Sequence, residues 1–492
     1  MPYLGHMKLV PDWVKKHKRK GVEIRVIGNG YYAYKRKSVW NSITKKPKTI
    51  TEKYLGRITE KGFIEPKHEQ ILNKATIKEY GASKLIDHIC KDIIVRLKEN
   101  YPASWQDIFC MTAERFLNNS PLKNMQTHFI HSELSELYPK ANMSPKNISN
   151  LLQIIGADRN LMVNFMKGNI IGKEHLIIDS TAIFSQAENI KYLSLGHNSQ
   201  KEYLPQINML LLFSKDKDMP VFFRLLPGSI PDVSSIKLTL EESEIKNAIF
   251  IGDKGFYSKD NVGWFQEASL SYILPLRRNS ILIDYSAAQS SNKKVFGGYF
   301  FFNERPIWYK TILQDDKTVI LFLDEHLKIE EQRGFLERVK KEIEGYSIED
   351  YHENDYTFGT ISVITNLKKE PEEIYSYLKS RLSIESAFDA FKNVLEADKT
   401  YMRTDNHMNG WMFMNFLSLQ MYYLIYGILL KNKLLNNFSP KDIILHFSKV
   451  NKIILQDKEI ITEVPKTTRT LIGKMGLDSS LFNLNNIKKP MP

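Results

Sequence analysis

The sequence predicts an α/β protein: a strand-and-helix core interrupted by a β-rich insertion and preceded by β-rich and helical regions. Three observations carry that expectation. From residue 174 onward, apolar runs of strand length alternate with helical stretches. Residues 75–168 place apolar side chains at helical spacing. Residues 22–65 and 279–368 alternate with the period of strands.

Taken in order, VEIRVIGNGYYAYKRKSVW and KTITEKYLGRI read as strands, with Gly28-Asn29-Gly30 as a turn signal between apolar runs. Lys45, Lys46 and Lys48 fall in an expected loop; their charge suits either a solvated face or DNA phosphates. ATIKEYGASKLIDHICKDIIVRLKENY and WQDIFCMTAERFLNN read as helices. Ser144-Pro145 reads as the cap and first turn of another. A tight junction at Ile155-Gly156-Ala157 suits a helix-turn-helix or plain helical packing.

HLIID (175–179), QINMLLLFS (206–214), MPVFFRLLP (219–227), AIFIGD (248–253) and SYILPL (271–276) read as strands, and SSIKLTLEESEI (234–245) as a helix. Beyond 279, VFGGYFFFNERPIWYKTIL, KTVILFLD and TFGTISVITNL read as strands around one charged helix at 326–343. Residues 372–399 read as one long amphipathic helix. Trp411 to Leu430 is a run of 20 uncharged residues, long enough to cross a membrane. Asn415, Ser418, Gln420 and Gly427 within it favour a helix buried in a large core. The expected regions are a basic β-rich one at 1–70, a helical DNA-binding one at 71–170, and a catalytic core at 171–278 and 369–430. The insertion takes 279–368, and a helical tail 431–492.

The chain has 492 residues, 42% hydrophobic and 25% charged, which excludes a mostly disordered protein. Its formal net charge of +13 points to a polyanionic partner, nucleic acid before membrane. Two cysteines, Cys90 and Cys110, cannot make a disulfide framework or a Cys-rich zinc site. Residues 8–20 are basic but lack a following apolar run, so no secretory signal is expected and the location is cytoplasmic.

Three carboxylates stand out. Asp179 and Asp253 end expected strands, and in open α/β sheets the carboxyl ends of strands face the functional crevice. Glu385 lies in the long helix, where Arg381, Glu385 and Lys392 fall near one face at i, i+4 and i+11. That pattern suits a surface ion pair, or a carboxylate reaching a metal with basic neighbours gripping phosphates. Mg²⁺ prefers oxygen ligands and keeps several waters, so three carboxylates suffice for a pair of ions about 3.5–4 Å apart.

In IIDSTA, IFIGDKGFYSKDN and RLSIESAFDAFK, the residues Asp179, Asp253 and Glu385 resemble the acidic triad of the DDE transposases of bacterial insertion sequences. The branch named after insertion sequence four, with a β-rich insertion before the catalytic Glu, is the most similar. The spacings agree: 74 residues from Asp179 to Asp253, then 132 to Glu385, leaving room for the insertion. LPGSIPDVSSIK (226–237) resembles that branch's Pro-Gly-Asn-x-x-Asp segment, and residues 400–424 its segment after the catalytic helix. Of its Tyr-x2-Arg-x3-Glu-x6-Lys signature, Arg381, Glu385 and Lys392 are present; Leu378 holds the Tyr position, with Tyr377 one residue earlier. One residue turns a helical side chain by about 100°, so the part of Tyr377 stays open.

The resemblance implies an RNase H-like catalytic fold. It implies that Asp179, Asp253 and Glu385 bind two Mg²⁺ ions, with Mn²⁺ able to substitute. It implies cleavage of double-stranded DNA at transposon ends and joining of the 3′-hydroxyls to target DNA, by a homodimer in the synaptic complex, with no membrane partner and a bacterial, nucleoid-associated location. Arg381 and Lys392 would contact the DNA backbone. Trp308 is the candidate for stacking on a flipped base, against the plainer reading of a core Trp. Two other readings stay open: a catalytically silent, sequence-specific DNA-binding protein, and an RNase H-like metal nuclease without strand transfer.

Overall fold

In the computed structural model the chain divides into two units, residues 1–78 with 451–463, and residues 79–450 with 464–492. The structure describes residues 10–41, 45–66, 75–170, 174–185, 187, 189–195, 205–228, 232–245, 248–314, 316–455 and 458–482. Residues 229–231 of the Pro-Gly segment, 8 and 9 of the basic stretch and the last ten of the tail lie outside them.

The first unit holds a short helix α1 (Asp12–Lys15) and an antiparallel sheet in the order β1 (Val22–Ile27), β2 (Gly30–Asn41), β3 (Lys46–Thr59), β4 (Gly62–Ile64). Val14, Ala33 and Ile58 form its small core, flanked by Trp13, Val22, Ile24, Tyr31 and Leu55. Lys46 and Lys48, expected in a loop, are strand residues of β3. A three-stranded sheet is built from β5 (Ala75–Glu79), β17 (Asn451–Leu455) and β18 (Lys458–Ile461), so the tail expected to be helical also supplies two strands.

The second unit opens with seven helices: α2 (Gly81–Ile89), α3 (Lys91–Asn100), α4 (Trp105–Asn118), α5 (Met125–Ile130), α6 (Leu134–Leu137), α7 (Pro145–Ala157) and α8 (Arg159–Lys167). Ser144 precedes Pro145 at the first position of α7, as expected. The junction between α7 and α8 falls at Asp158, whose side chain accepts from the Leu161 amide and so caps α8.

An 11-stranded sheet follows. Its centre is β6 (Glu174–Ser185), β10 (Ala248–Ile251) and β11 (Ser271–Pro275), with β10 parallel to both neighbours. β10 is buried throughout and β6 nearly so before Asp179, as a parallel sheet covered on both faces requires. β8 (Pro205–Ser214) and β9 (Met219–Pro227) form a hairpin that adds antiparallel to β6, and β7 (Ser194–Leu195) pairs with β8. Helices α9 (Asp232–Ser243) and α10 (Lys259–Glu267) connect β9 to β10 and β10 to β11. Beyond β11 the sheet continues antiparallel through β15 (Thr360–Thr365), β14 (Lys317–Asp324), β13 (Arg305–Gln314) and β12 (Gly298–Phe302). The stretch read as an insertion therefore extends the central sheet, carrying helices α11 (Ser286–Gln289), α12 (Glu325–Lys340) and α13 (Ile348–Asn354) with it.

The long helix expected over 372–399 is broken. α14 (Pro371–Lys379) ends where the Ser380 hydroxyl donates to the Tyr377 carbonyl at 2.6 Å, and α15 (Leu382–Asp389) starts afresh and passes into a π-helical turn at Ala390–Val394. β16 (Lys399–Thr400) then pairs with the end of β6.

α16 (Asp405–Lys431) is long and apolar enough to cross a membrane by length and composition, but it is a core helix here: residues from Met408 to Met421 are almost all buried, against α4, α7 and β9. Its buried Gln420 donates to Asn169 and to the Pro220 carbonyl at 3.1 and 3.0 Å. α17 (Pro440–Phe447) and α18 (Lys466–Lys474) complete the unit.

Candidate functional site

The site starts from strand register. Ile177 of β6 pairs with Ile251 of β10, and Asp179 and Asp253 each follow two residues later. The same offset on two adjacent parallel strands brings both carboxylates to one edge of the sheet. β6 runs on past Asp179 to Ser185, paired with β8, so Asp179 lies within a long strand and does not end one. β10 ends at Ile251, and Asp253 stands in the turn after it.

Local bonds orient both acids. Asp179 Oδ1 accepts from the Ser180 amide at 2.8 Å. Asp253 Oδ1 accepts from the Gly255 amide, and a Cβ at 255 would come within 2.9 Å of that oxygen. Gly255 thus permits the close approach of amide to carboxylate.

Arg381 joins the two. It stands just before α15, and its Nη2 lies 3.4 Å from Asp179 Oδ2 and 3.9 Å from Asp253 Oδ2. The side chains of all three remain partly accessible. The buried Nε of Arg381 has no hydrogen-bond partner among the described residues. A guanidinium facing two carboxylates while still partly accessible can hold a further anion.

Glu385 does not join them. It lies exposed in the first turn of α15. Among the described residues, no group of three His, Cys, Asp or Glu side chains is placed to hold a metal ion. Arg381 stands just before α15 with helical backbone angles, and the Glu385 amide donates to its carbonyl at 3.4 Å, yet the Arg381 side chain faces the aspartates while Glu385 is exposed. The hard oxygens of Asp179 and Asp253 fit a divalent cation, but Glu385 stands apart from that pair.

Lys392 lies half-buried in the π-helical turn, where burial lowers its pKa from the usual amine value and Asp398 partly opposes the shift. Leu378, at the position where the resembled signature has Tyr, is buried. Tyr377 stacks on His175 with ring centroids 4.4 Å apart, at the opening of β6, four residues before Asp179. Trp308 is half-buried on β13, packed against Phe296 and Tyr299 with centroids 6.1 and 5.2 Å away. It belongs to a small cluster with Ala287 and Leu323.

Sequence reasoning missed Arg115. From α4 it donates to the carbonyls of Leu395 and Glu396 at 2.6 and 3.4 Å, just after the π-helical turn. A cleft of about 1050 Å³, lined in part by Arg115, Asp398, Tyr401, Arg403 and Trp411, opens beside it. The only local signal was a charged pair, Glu114-Arg115, inside an otherwise apolar helix.

Residues 171–421 match the family described as the transposase DDE domain. The chain belongs to that family. The matched DDE domain spans β6 to α16, and Asp179, Asp253, Arg381 and Glu385 all lie inside it. A cryo-EM structure of a piggyBac transposase synaptic complex with hairpin DNA is similar at 12% identity and a TM-score of 0.37, over 68% of this chain. The chain spans 62% of that structure's length. No curated protein matches the chain in sequence.

Proposed function

We propose that this DDE-domain chain cleaves double-stranded DNA at the terminal repeats of a mobile element and joins the freed 3′-hydroxyls to target DNA. The observation that carries the reading is the convergence of Asp179, Asp253 and Arg381 where β10 ends beside its parallel neighbour β6 in the DDE domain. The strand order β9-β8-β6-β10-β11, with an antiparallel hairpin followed by parallel strands, supports an RNase H-like core. The long excursion between β11 and α14 supports the insertion-sequence-four-like branch.

Asp179 and Asp253 are the residues that would hold Mg²⁺ or Mn²⁺, with Glu385 as the third carboxylate the resemblance names. When bound to such carboxylates, a divalent cation activates a water or hydroxyl and stabilises the leaving oxygen. Arg381, whose guanidinium is partly accessible, orients the scissile phosphate, and Lys392 adds a second cation along the DNA backbone. Cleavage of paired ends calls for a homodimer in the DNA complex, at the bacterial nucleoid. Trp308, packed in its own cluster, takes the core role.

The test is a strand-transfer assay on labelled DNA from either side of the gene with Mg²⁺, comparing wild type with Glu385→Gln and Asp179→Ala. Joined products from wild type alone support the reading. Cleavage by Glu385→Gln removes Glu385 from the site, and cleavage that never yields joined products supports a nuclease. The exposed position of Glu385 favours a second reading, a catalytically silent DNA-binding protein, which end binding without cleavage by any variant would support.

A further inference from the structure

The N-terminal unit carries a feature that the DDE site does not use. β1 pairs with β2 only as far as Lys35, and β4 pairs with β3 only from Arg57 to Thr59. Among the described residues, Lys37–Asn41 of β2 and Lys46–Ile50 of β3 therefore pair only with each other, in the register Lys37↔Ile50, Val39↔Lys48 and Asn41↔Lys46. This is a two-stranded ribbon about 17 Å long, at roughly 3.4 Å per residue. Its base is marked by a register shift between Lys35 and Arg36. Bulges of this kind bend a strand and increase its twist.

Residues 37–40 and 46–50 are all exposed. Val39, Trp40 and Ile50 are 41, 65 and 42% exposed, unusual for large apolar side chains on a sheet. An isolated two-stranded hairpin is marginal in water, and among the described residues this one is exposed along both strands. Its composition says what covers it. Lys37, Lys46 and Lys48 are three cations in ten paired residues, with no acid among them. Cross-strand pairs share a face, so all three lysines lie on one side, with Val39 and Ile50 between them. The opposite side presents Ser38, Trp40, Pro47 and Thr49.

We propose that this ribbon enters the major groove of duplex DNA at the element end, its lysines on the phosphates and its Ser38–Trp40–Thr49 face toward the base edges. The major groove, about 12 Å wide, admits a two-stranded β-ribbon. Lysine stems span from the ribbon to the groove walls, and hydroxyls and apolar side chains are base-edge contacts of the required kind. The inference rests on the transposase reading for the identity of the DNA, and on charge and shape for the mode.

The test measures fluorescence anisotropy of the full chain with labelled duplex from either side of the gene, at several salt concentrations and with EDTA, so that no cleavage intervenes. Variants are Lys37→Ala/Lys48→Ala, Trp40→Ala, and Lys340→Ala/Lys341→Ala at the C-terminal end of α12 as a charge-matched control. Losing two phosphate contacts should reduce the slope of log affinity against log salt by about 1.8. The double variant should bind at least tenfold more weakly at physiological salt, on end and scrambled duplex alike. Trp40→Ala should weaken end binding with the slope unchanged. The control should behave as wild type. A ribbon variant with wild-type affinity and slope, or a control that loses as much, overturns the proposal. Thermal unfolding shows whether each variant is folded, and Lys48→Glu, a surface charge reversal, should lose more than Lys48→Ala. Failure of the catalytic reading shows separately, as end binding by wild type with no cleavage or joining when Mg²⁺ is supplied.

Discussion

Arg381 and Asp179, 202 residues apart in sequence, meet at 3.4 Å, and the same nitrogen lies 3.9 Å from Asp253. One guanidinium thus offsets the repulsion of two carboxylates, one within β6 and one in the turn after β10. It also occupies the charge position that a divalent cation would take. Arg381→Ala should therefore raise Mn²⁺ affinity about tenfold, since a like charge near 4 Å is worth about 1 kcal/mol or more even at high dielectric. On the proposed transposase reading, in which Arg381 orients the scissile phosphate, the same change should abolish strand transfer. Titration calorimetry with Mn²⁺ checks the first effect; Mn²⁺ binding unchanged in Arg381→Ala but lost in Asp179→Asn would place the cation away from the arginine.

How much of this was legible follows from particular residues. Asp179 and Asp253 stood out because apolar strand runs precede both, and backbone register then brings them together. Lys46 and Lys48 were expected in a loop, yet both lie in β3, on either side of Pro47, which pairs with Trp40 of β2. The break at Ser380-Arg381 had no glycine or proline to mark it. There the backbone bonds tighten from i−4 to i−3 and the Ser380 hydroxyl bonds the Tyr377 carbonyl, which periodicity does not report. Arg115 was out of reach because its partners lie 280 and 281 residues away.

The crossing of α7 and α16 rests on two glycines. A Cβ at Gly410 would lie 2.2 Å from the Leu152 carbonyl oxygen, and one at Gly156 would lie 1.7 Å from that of Asn406. Both obstacles are backbone, which cannot swing aside. Gly410→Ala should destabilise the protein by about 3 kcal/mol or prevent folding, the upper end of overpacking costs. Gly427, on the same helix, has nothing within 4 Å of its Cβ position. Gly427→Ala should stabilise by about 1 kcal/mol through helix propensity. Urea unfolding of the two variants should move in opposite directions; equal shifts would show that propensity, not the crossing, decides.

Glu114 is wholly buried on α4, and burial pushes its pKa from 4.5 up to about 8. Hydrogen bonds from Ser132 and Asn118 oppose the shift without cancelling it. Unfolded, the side chain ionises near 4.5; folded, it keeps its proton to about 8. Between those values the folded state holds more protons, so stability falls as pH rises, by up to about 1.4 kcal/mol per pH unit. Glu114→Gln should be nearly neutral at pH 5 and increasingly stabilising toward pH 8. Denaturation midpoints at pH 5, 6.5 and 8 check this; parallel losses in both proteins would assign the slope to other groups.

Arg115 is the buried counterpart of this acid on the next position of α4, and burial lowers its pKa from the usual guanidinium value. It donates to three carbonyls, those of Leu395, Glu396 and Ser120. Glu396 has a positive φ of 49°, a left-handed conformation that favours glycine, so the chain end of the π-helical turn is held by an external donor against its own preference. Arg115→Ala leaves those carbonyls buried without the donor and should cost about 3 kcal/mol. Arg115→Lys should recover little, because a point charge cannot reach three carbonyls at the fork's spacing. Since the turn carries Lys392, both variants should also weaken binding to DNA ends at temperatures where they remain folded. Hydrogen exchange across residues 390–398 separates the two effects: faster exchange there alone marks a positioning role, and uniform acceleration marks a merely structural one.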